Sequence, residues 1–175
     1  MLIDLSHVGE QIFLDTIELS KNPVAITHAN LREFSSHARN KPEPIVRELV
    51  ARGGVIGANA FPRFLPGGFD ATIDAFLDAI DSLVQVVGPD SVAIATDFCE
   101  GQDMDYWHYL RRLHGKIPGA PPSVPRPDPS LRGLDTGREM PNIEYGLRER
   151  GYDEESITKI LGKNWMRLYR EVWGA

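Results

Sequence analysis

Two apolar runs in the chain end in histidine. Leu2-Ile3-Asp4-Leu5-Ser6 leads to His7, and Val24-Ala25-Ile26-Thr27 leads to His28. A third run, Val55 to Ala60, carries Asn59 near its end, and a fourth, Ser91 to Thr96, is followed by Asp97. Imidazole nitrogens are good ligands for zinc and its neighbours, and a nearby carboxylate serves as ligand or base. One histidine at a strand end is ordinarily a hydrogen-bonded structural residue. Two at equivalent positions, with Asp97 at a third, make a candidate metal-hydrolase site. Spacing alone does not decide between these readings.

The elements that must position these residues alternate along the chain. Leu2–Ser6, Pro23–Thr27, Val55–Ala60 and Ser91–Thr96 read as strands, near-continuously apolar as strands buried on both faces are. Between them lie three predicted helices. The first is Gly9–Ser20, with Ile12, Phe13, Ile17 and Leu19 near helical spacing. The second is Pro42–Arg52, with proline in its first turn and Gly53-Gly54 after it. The third is long, capped by Asp70, apolar at Ile73, Phe76, Leu77, Ile80, Leu83, Val84 and Val87, and stopped by Gly88-Pro89-Asp90. Strands alternating with helices predict βαβ units and a parallel sheet, the α/β class, whose functional sites lie at the C-terminal strand ends.

After Asp97 the rhythm breaks. Asp103–His114 reads as a short aromatic helix that packs Tyr106, Trp107 and Tyr109 on the rim, a simpler reading than a cofactor box at His108 and His114. Ile117–Pro129 holds six of the chain's 13 prolines and reads as an irregular loop. Pro141–Arg150, Glu154–Leu161 and Asn164–Val172 are helical, the last with Trp165, Leu168 and Val172 inward. The expected organisation is one partial domain over 1–175, with four βα-type units over 1–100, a proline-rich rim loop and helix over 101–140, and C-terminal helices over 141–175.

The totals bound the function class. The chain has 175 residues, 42% of them hydrophobic and 25% charged, with a net charge of -6. That balance argues against nucleic acid as the main partner. No apolar stretch is long enough to span a bilayer. Cys99 is the only cysteine, so no intrachain disulfide forms. No signal-peptide pattern opens the chain, and a cytoplasmic location is the expectation, although a missing N-terminus would hide such a signal.

Taken in order, DLSHV at 4–8, THAN at 27–30, HARN at 37–40, GGVIGAN at 53–59 and ATDF at 95–98 resemble the membrane dipeptidase (renal dipeptidase) family of zinc peptidases. The ending RERGYDEESITKILGKNWMRLYREV is similar to that family's C-terminal helices. The resemblance implies a (β/α)8 barrel of the metal-dependent hydrolase group with two zinc ions at its C-terminal rim. It implies that His7 and His28 ligate one zinc. It implies that Asp97 acts on the attacking water and then protonates the leaving amine. Arg39, which alone would read as a solvated loop residue, is implied to hold the substrate's terminal carboxylate, a role for which its planar fork is suited. The implied activity is hydrolysis of dipeptides by a metal-activated hydroxide.

The same resemblance sets an expectation of incompleteness. The family's remaining metal ligands, an HxD pair and a bridging glutamate, lie on the first four barrel strands, and this chain has no HxD. Its strands match the fifth to eighth. The chain therefore resembles the C-terminal half of a barrel, beginning inside strand five, with an initiating methionine that is internal to the longer pattern. Two edges, at Leu2–Ser6 and Val92–Thr96, are expected to lie open and to invite association. The expected partners are a dipeptide, a second copy of this chain, or a separate N-terminal half. Fewer zinc ions than two, or none, are expected, with little or no activity for the chain alone. The rival readings are an amidohydrolase acting on a lactone or cyclic amide, and an inactive half-barrel serving as an assembly module.

Overall fold

The computed structural model describes residues 1–98, 100–101 and 131–174. The predicted aromatic helix, the proline-rich loop and Cys99 lie outside the described residues. In chain order the elements are α1 (Glu10–Leu19), β1 (Ala25–Ile26), α2 (Glu43–Ala51), β2 (Val55–Asn59), α3 (Ile73–Val87) and β3 (Val92–Ala95). After the undescribed stretch come α4 (Pro141–Glu149), α5 (Glu154–Thr158) and α6 (Asn164–Trp173).

The strands form one parallel sheet in the order β1-β2-β3. Ala25 pairs with Val55, and β2 runs beside β3 from Ile56↔Val92 to Asn59↔Ala95. This is the mixed α/β architecture that the alternation predicts. The first predicted strand differs. Leu2–Ser6 contributes a single parallel bridge, Asp4↔Ala25, carried by the bonds from Ala25 N–H to Ile3 C=O and from Leu5 N–H to Ala25 C=O. Its apolar residues still alternate between the two faces of the sheet. Leu5 packs in the main core, and Leu2 packs on the opposite side.

Several helix boundaries follow local chemistry more closely than the sequence reading did. Asp70 does not cap α3. It closes a 3-10 turn over Gly68–Asp70, and Thr72 stands at the N-cap. Asp153 caps α5, its carboxylate accepting from Ser156 N–H at 2.7 Å. The helix predicted to run on to Leu161 stops at Thr158, and a wide turn over Lys159–Lys163, non-helical at Gly162, joins it to α6.

Helices cover both faces of the sheet. Ile56, Ala58 and Ala60 project to one side, where they join Phe13 and Ile17 of α1, Val46 and Leu49 of α2, Phe76, Ile80 and Leu83 of α3, and Ile143 and Leu147 of α4. Ala25, Val55 and Ala93 project to the other, where Leu168 of α6 is buried among them with Trp165 and Val172 packed alongside.

Among the described residues no strand lies beside the outer edge of β3, as expected for Val92–Thr96, but two of its carbonyls are not bare. Asn164 Nδ2 donates to Val92 C=O at 2.7 Å, and Trp165 Nε1 donates to Ile94 C=O at 3.1 Å. These alternate carbonyls are the ones a further strand would have used. Two side chains from α6 thus satisfy part of the ladder that β3 presents outward.

Gly57 lets the sheet, α6 and the turn that carries His28 come together. A Cβ there would sit 2.1 Å from Thr27 C=O and 2.9 Å from Ala95 Cβ, with the Trp165 ring at 3.0 Å. The nearest obstacle is backbone, which cannot swing aside. Gly57→Ala is expected to destabilise the chain by about 1–3 kcal/mol, read as a lower urea midpoint with an unchanged slope.

Candidate metal and substrate site

The candidate residues lie at the C-terminal ends of the strands. His7 follows the first segment, His28 follows β1 by two residues, Asn59 ends β2 and Asp97 follows β3 by two. The structure brings the two histidines into contact, Nε2 to Nε2 at 2.8 Å with ring centroids 4.9 Å apart. Arg39 closes on them from the 30–41 loop. One of its guanidinium nitrogens donates to Ser6 C=O, and Nη2 lies 3.1 Å from His7 Nε2. Its guanidinium carbon also stands 5.6 Å from the Phe64 ring centroid, within cation–π range.

Asp97 stands in left-handed backbone, φ 54°, and its Oδ2 accepts from Asn59 Nδ2 at 3.4 Å. Its charge acts on both His7 and Arg39. Among the described residues, no group of three or more His, Cys, Asp or Glu side chains gathers as a metal site. The donors brought together among the described residues are the two imidazoles of His7 and His28. Two neutral imidazoles fit two positions of a zinc-type coordination sphere and leave the others to further donors.

Buried asparagines explain how a polar loop places Arg39. Asn30 and Asn59 are reciprocally joined, Asn59 N–H donating to Asn30 Oδ1 at 2.9 Å and Asn30 Nδ2 donating to Asn59 C=O at 3.0 Å. Asn40 accepts from Asn30 N–H and donates through Nδ2 to Ser35 C=O at 2.8 Å and Phe64 C=O at 3.0 Å. Lys41 Nζ, itself buried, donates to Val8 C=O at 2.7 Å. His37 accepts from Arg39 N–H at Nδ1, 3.1 Å, and packs against Phe64. It braces the arginine's backbone, a more specific place than the plain loop histidine of the sequence reading.

Sequence reasoning passed over Asp4, Ser6 and Thr27. The Asp4 carboxylate accepts four hydrogen bonds. Oδ1 takes Ser6 N–H at 3.0 Å, Ser6 Oγ–H at 2.6 Å and Thr27 N–H at 3.0 Å, while Oδ2 takes Thr27 Oγ1–H at 2.8 Å. Thr27 Oγ1 in turn lies 2.7 Å from His28 Nδ1. The available signal was a charge inside an apolar run, at the same parity as Ser6. Partial desolvation pushes the Asp4 carboxyl up, but the bonds from Ser6 and Thr27 outweigh it and hold it below the usual carboxylate range. Desolvation, then Arg39 and His28, lower His7 below the ordinary imidazole range, against opposing pulls from Asp4 and Asp97.

Residues 1–108 match the family described as membrane dipeptidase (peptidase family M19). An amidohydrolase from Pseudomonas aeruginosa superposes with a TM-score of 0.91 at 34% identity, over 100% of this chain and 53% of that one. A metallo peptidase from Rhodobacter sphaeroides, liganded with a phosphinate mimic of the dipeptide L-Ala-D-Ala, superposes with a TM-score of 0.74 at 25% identity, over 97% of this chain and 42% of that one. The dipeptidase tcpJ of Claviceps purpurea is 26% identical over 173 residues, 98% of this chain and 35% of that protein. The chain thus spans about half the length of these relatives, or less.

A titration follows from the geometry around His7. Native His7 binds its proton at lower pH than the unfolded chain does, so its contribution to stability is full above the ordinary imidazole range. That contribution is lost as pH falls through the range. In the metal-free chain the His7 Cε1–H resonance is expected to titrate below the ordinary range, and Arg39→Met is expected to move the midpoint upward. An unmoved midpoint would show that the guanidinium does not act on His7.

Proposed function

We propose that this chain, which belongs to the membrane dipeptidase family, supplies the His7–His28 side of a zinc-dependent site for hydrolysis of dipeptides. The observation that carries the reading is the convergence of two imidazole Nε2 atoms beside Arg39 at the C-terminal ends of a parallel sheet. Two donors do not complete such a centre. We propose that the first segment and the three strands are the fifth to eighth strands of a (β/α)8 barrel, and that residues outside this chain supply the other donors. The length of the relatives supports that reading.

Zinc, when bound, supplies a Lewis acid and lowers the pKa of water. The chain's own residues do the rest. His7 and His28 present nitrogen lone pairs to the metal. Arg39 pairs bidentately with the terminal carboxylate of a dipeptide and orients the scissile bond. The Asp97 carboxylate takes a proton from the attacking water and returns it to the leaving amine. Arg39 restricts the substrate to one with a carboxylate near the scissile bond, which suits a dipeptide.

A second reading keeps the scaffold and changes the substrate. The amidohydrolase from Pseudomonas aeruginosa that this chain resembles favours it, and the substrate would be a lactone or cyclic amide. Arg39 separates the two.

The purified 175-residue chain is expected to hold well under one zinc per molecule and to show no dipeptide turnover above background. Stoichiometric zinc with robust turnover would overturn the incomplete-site reading. A chimera carrying the N-terminal half of the Pseudomonas aeruginosa amidohydrolase ahead of this chain is expected to cleave dipeptides. In it, Asp97→Asn is expected to lower kcat roughly 10²–10⁴-fold. Arg39→Glu is expected to abolish dipeptide cleavage, whereas turnover of a neutral lactone that survives Arg39→Glu would favour the second reading.

A further inference from the structure

The hydrogen bonds between Asp4 and His28 determine where each proton sits. A carboxylate accepts and has no proton to give. Ser6 and Thr27 each carry one hydroxyl proton, and each hydroxyl lies within 3 Å of Asp4, at 2.6 and 2.8 Å. Both protons are therefore directed to the carboxylate. Ser6 Oγ is then free to accept, and His28 N–H donates to it at 3.1 Å. Thr27 Oγ1 likewise has only lone pairs left for the atom 2.7 Å away, His28 Nδ1. His28 Nδ1 must carry the hydrogen. A neutral His28 then bears its lone pair at Nε2, the atom that faces His7.

Of the two contacts at His7 Nε2, the one to His28 Nε2 is the shorter, 2.8 Å against 3.1 Å for Arg39 Nη2. Two nitrogens at 2.8 Å share a hydrogen, and with His28 Nε2 bare that hydrogen sits on His7 Nε2 and points at the His28 lone pair. A cation bound at that lone pair would take the place of this hydrogen.

We propose that Asp4 is a positioning residue that, through the Thr27 hydroxyl, holds His28 as its Nδ1–H tautomer and aims the Nε2 lone pair into the site. The use of that lone pair as a metal ligand rests on the function proposed above, but the tautomer does not. The Asp4 hydrogen bonds go to Ser6 and Thr27, not to either imidazole. It acts through Thr27, and the carboxylate–hydroxyl–imidazole chain does the work that a direct carboxylate partner does for many metal-ligating histidines.

Asp4→Asn tests the polarity of the chain. Oδ1 faces three donors, two of them backbone N–H groups, so the asparagine must place its carbonyl oxygen there. Its amide nitrogen then falls at the Oδ2 position, facing Thr27 Oγ1. Thr27 becomes an acceptor from Asn and turns its own proton to His28 Nδ1, which forces the imidazole hydrogen onto Nε2. A nearly isosteric change thus inverts the tautomer. Thr27→Val, which keeps the β-branched shape, removes the hydroxyl link and leaves both tautomers populated.

The experiment is a long-range nitrogen–proton correlation spectrum of the histidine rings in the zinc-free 175-residue chain at about pH 8, above the imidazole range. Zinc affinity is measured alongside by competition with a chromophoric chelator. The wild-type chain is expected to show His28 protonated at Nδ1. Asp4→Asn is expected to show it at Nε2, with zinc affinity reduced roughly 10–100-fold. Thr27→Val is expected to show a mixture, which decides the matter if Asp4→Asn fails to fold. An Nε2–H tautomer in the wild type, or one tautomer shared by the wild type and every folded variant, would overturn the proposal. If the tautomer inverts in Asp4→Asn while zinc binds wild type and variant with equal affinity, the positioning role stands and the metal reading of His28 falls.

Discussion

The register between the first segment and β1 is the constraint on which the site depends. That pairing is a single bridge, Asp4 to Ala25, with two backbone hydrogen bonds. Side chains alternate with period two along a strand, so a slip of one residue would send Asp4 and Ser6 to the core face and Leu5 to the other. His7 would no longer meet His28. One bridge is a thin ladder, and the Asp4 carboxylate reinforces it by binding both the amide and the hydroxyl of Thr27 across the gap. The same carboxylate that pins the register also fills the hydrogen-bond needs of the turn leading to the histidine.

The remainder of the molecule holds that edge in place. β2 is buried along its whole length, and its pairing with β3 runs over four residue pairs. Helices pack on both sides, so the sheet is held from each face by apolar contact. α6 has two jobs at once. Leu168 covers the second face, while Asn164 and Trp165 at its start occupy carbonyls on the β3 edge. Edges left bare template association, and side-chain donors from a packed helix are one way to blunt them. At the strand tips, Asn30, Asn40 and Asn59 are fully buried and take up loop backbone groups that would otherwise lack partners. That network converts a polar loop into a rigid mount for Arg39.

Much of this was legible in the sequence. The alternation of apolar runs with amphipathic stretches specified the parallel α/β arrangement, because a buried parallel strand and a one-sided helix have different hydrophobic periods. His7, His28 and Asp97 stood out because three side chains of ligating type fall at equivalent places just past buried runs, although each alone would read as a structural residue. Ordered motifs marked the family, and residues 1–108 match it. Less legible were Asp4 and Thr27, which look like ordinary members of apolar runs until their partner across the gap is known. The single bridge of the first segment and the side-chain donors on the β3 edge were hidden for the same reason. Pairing and edge capping are decided by what lies beside a strand, 70 or so residues away in the case of Trp165 and Ile94.

By itself, then, the sequence determined the class of fold, the family and the residue types available for chemistry, since periodicity, turn residues and motif order are local properties of the chain. The tertiary structure alone decided that the two Nε2 atoms face one another, that Arg39 stands beside them, and which nitrogen of His28 carries its hydrogen. Those features depend on distances between residues 21 to 32 positions apart. A hydrogen bond is decided over a few tenths of an ångström, and no local pattern in a chain fixes so short a distance.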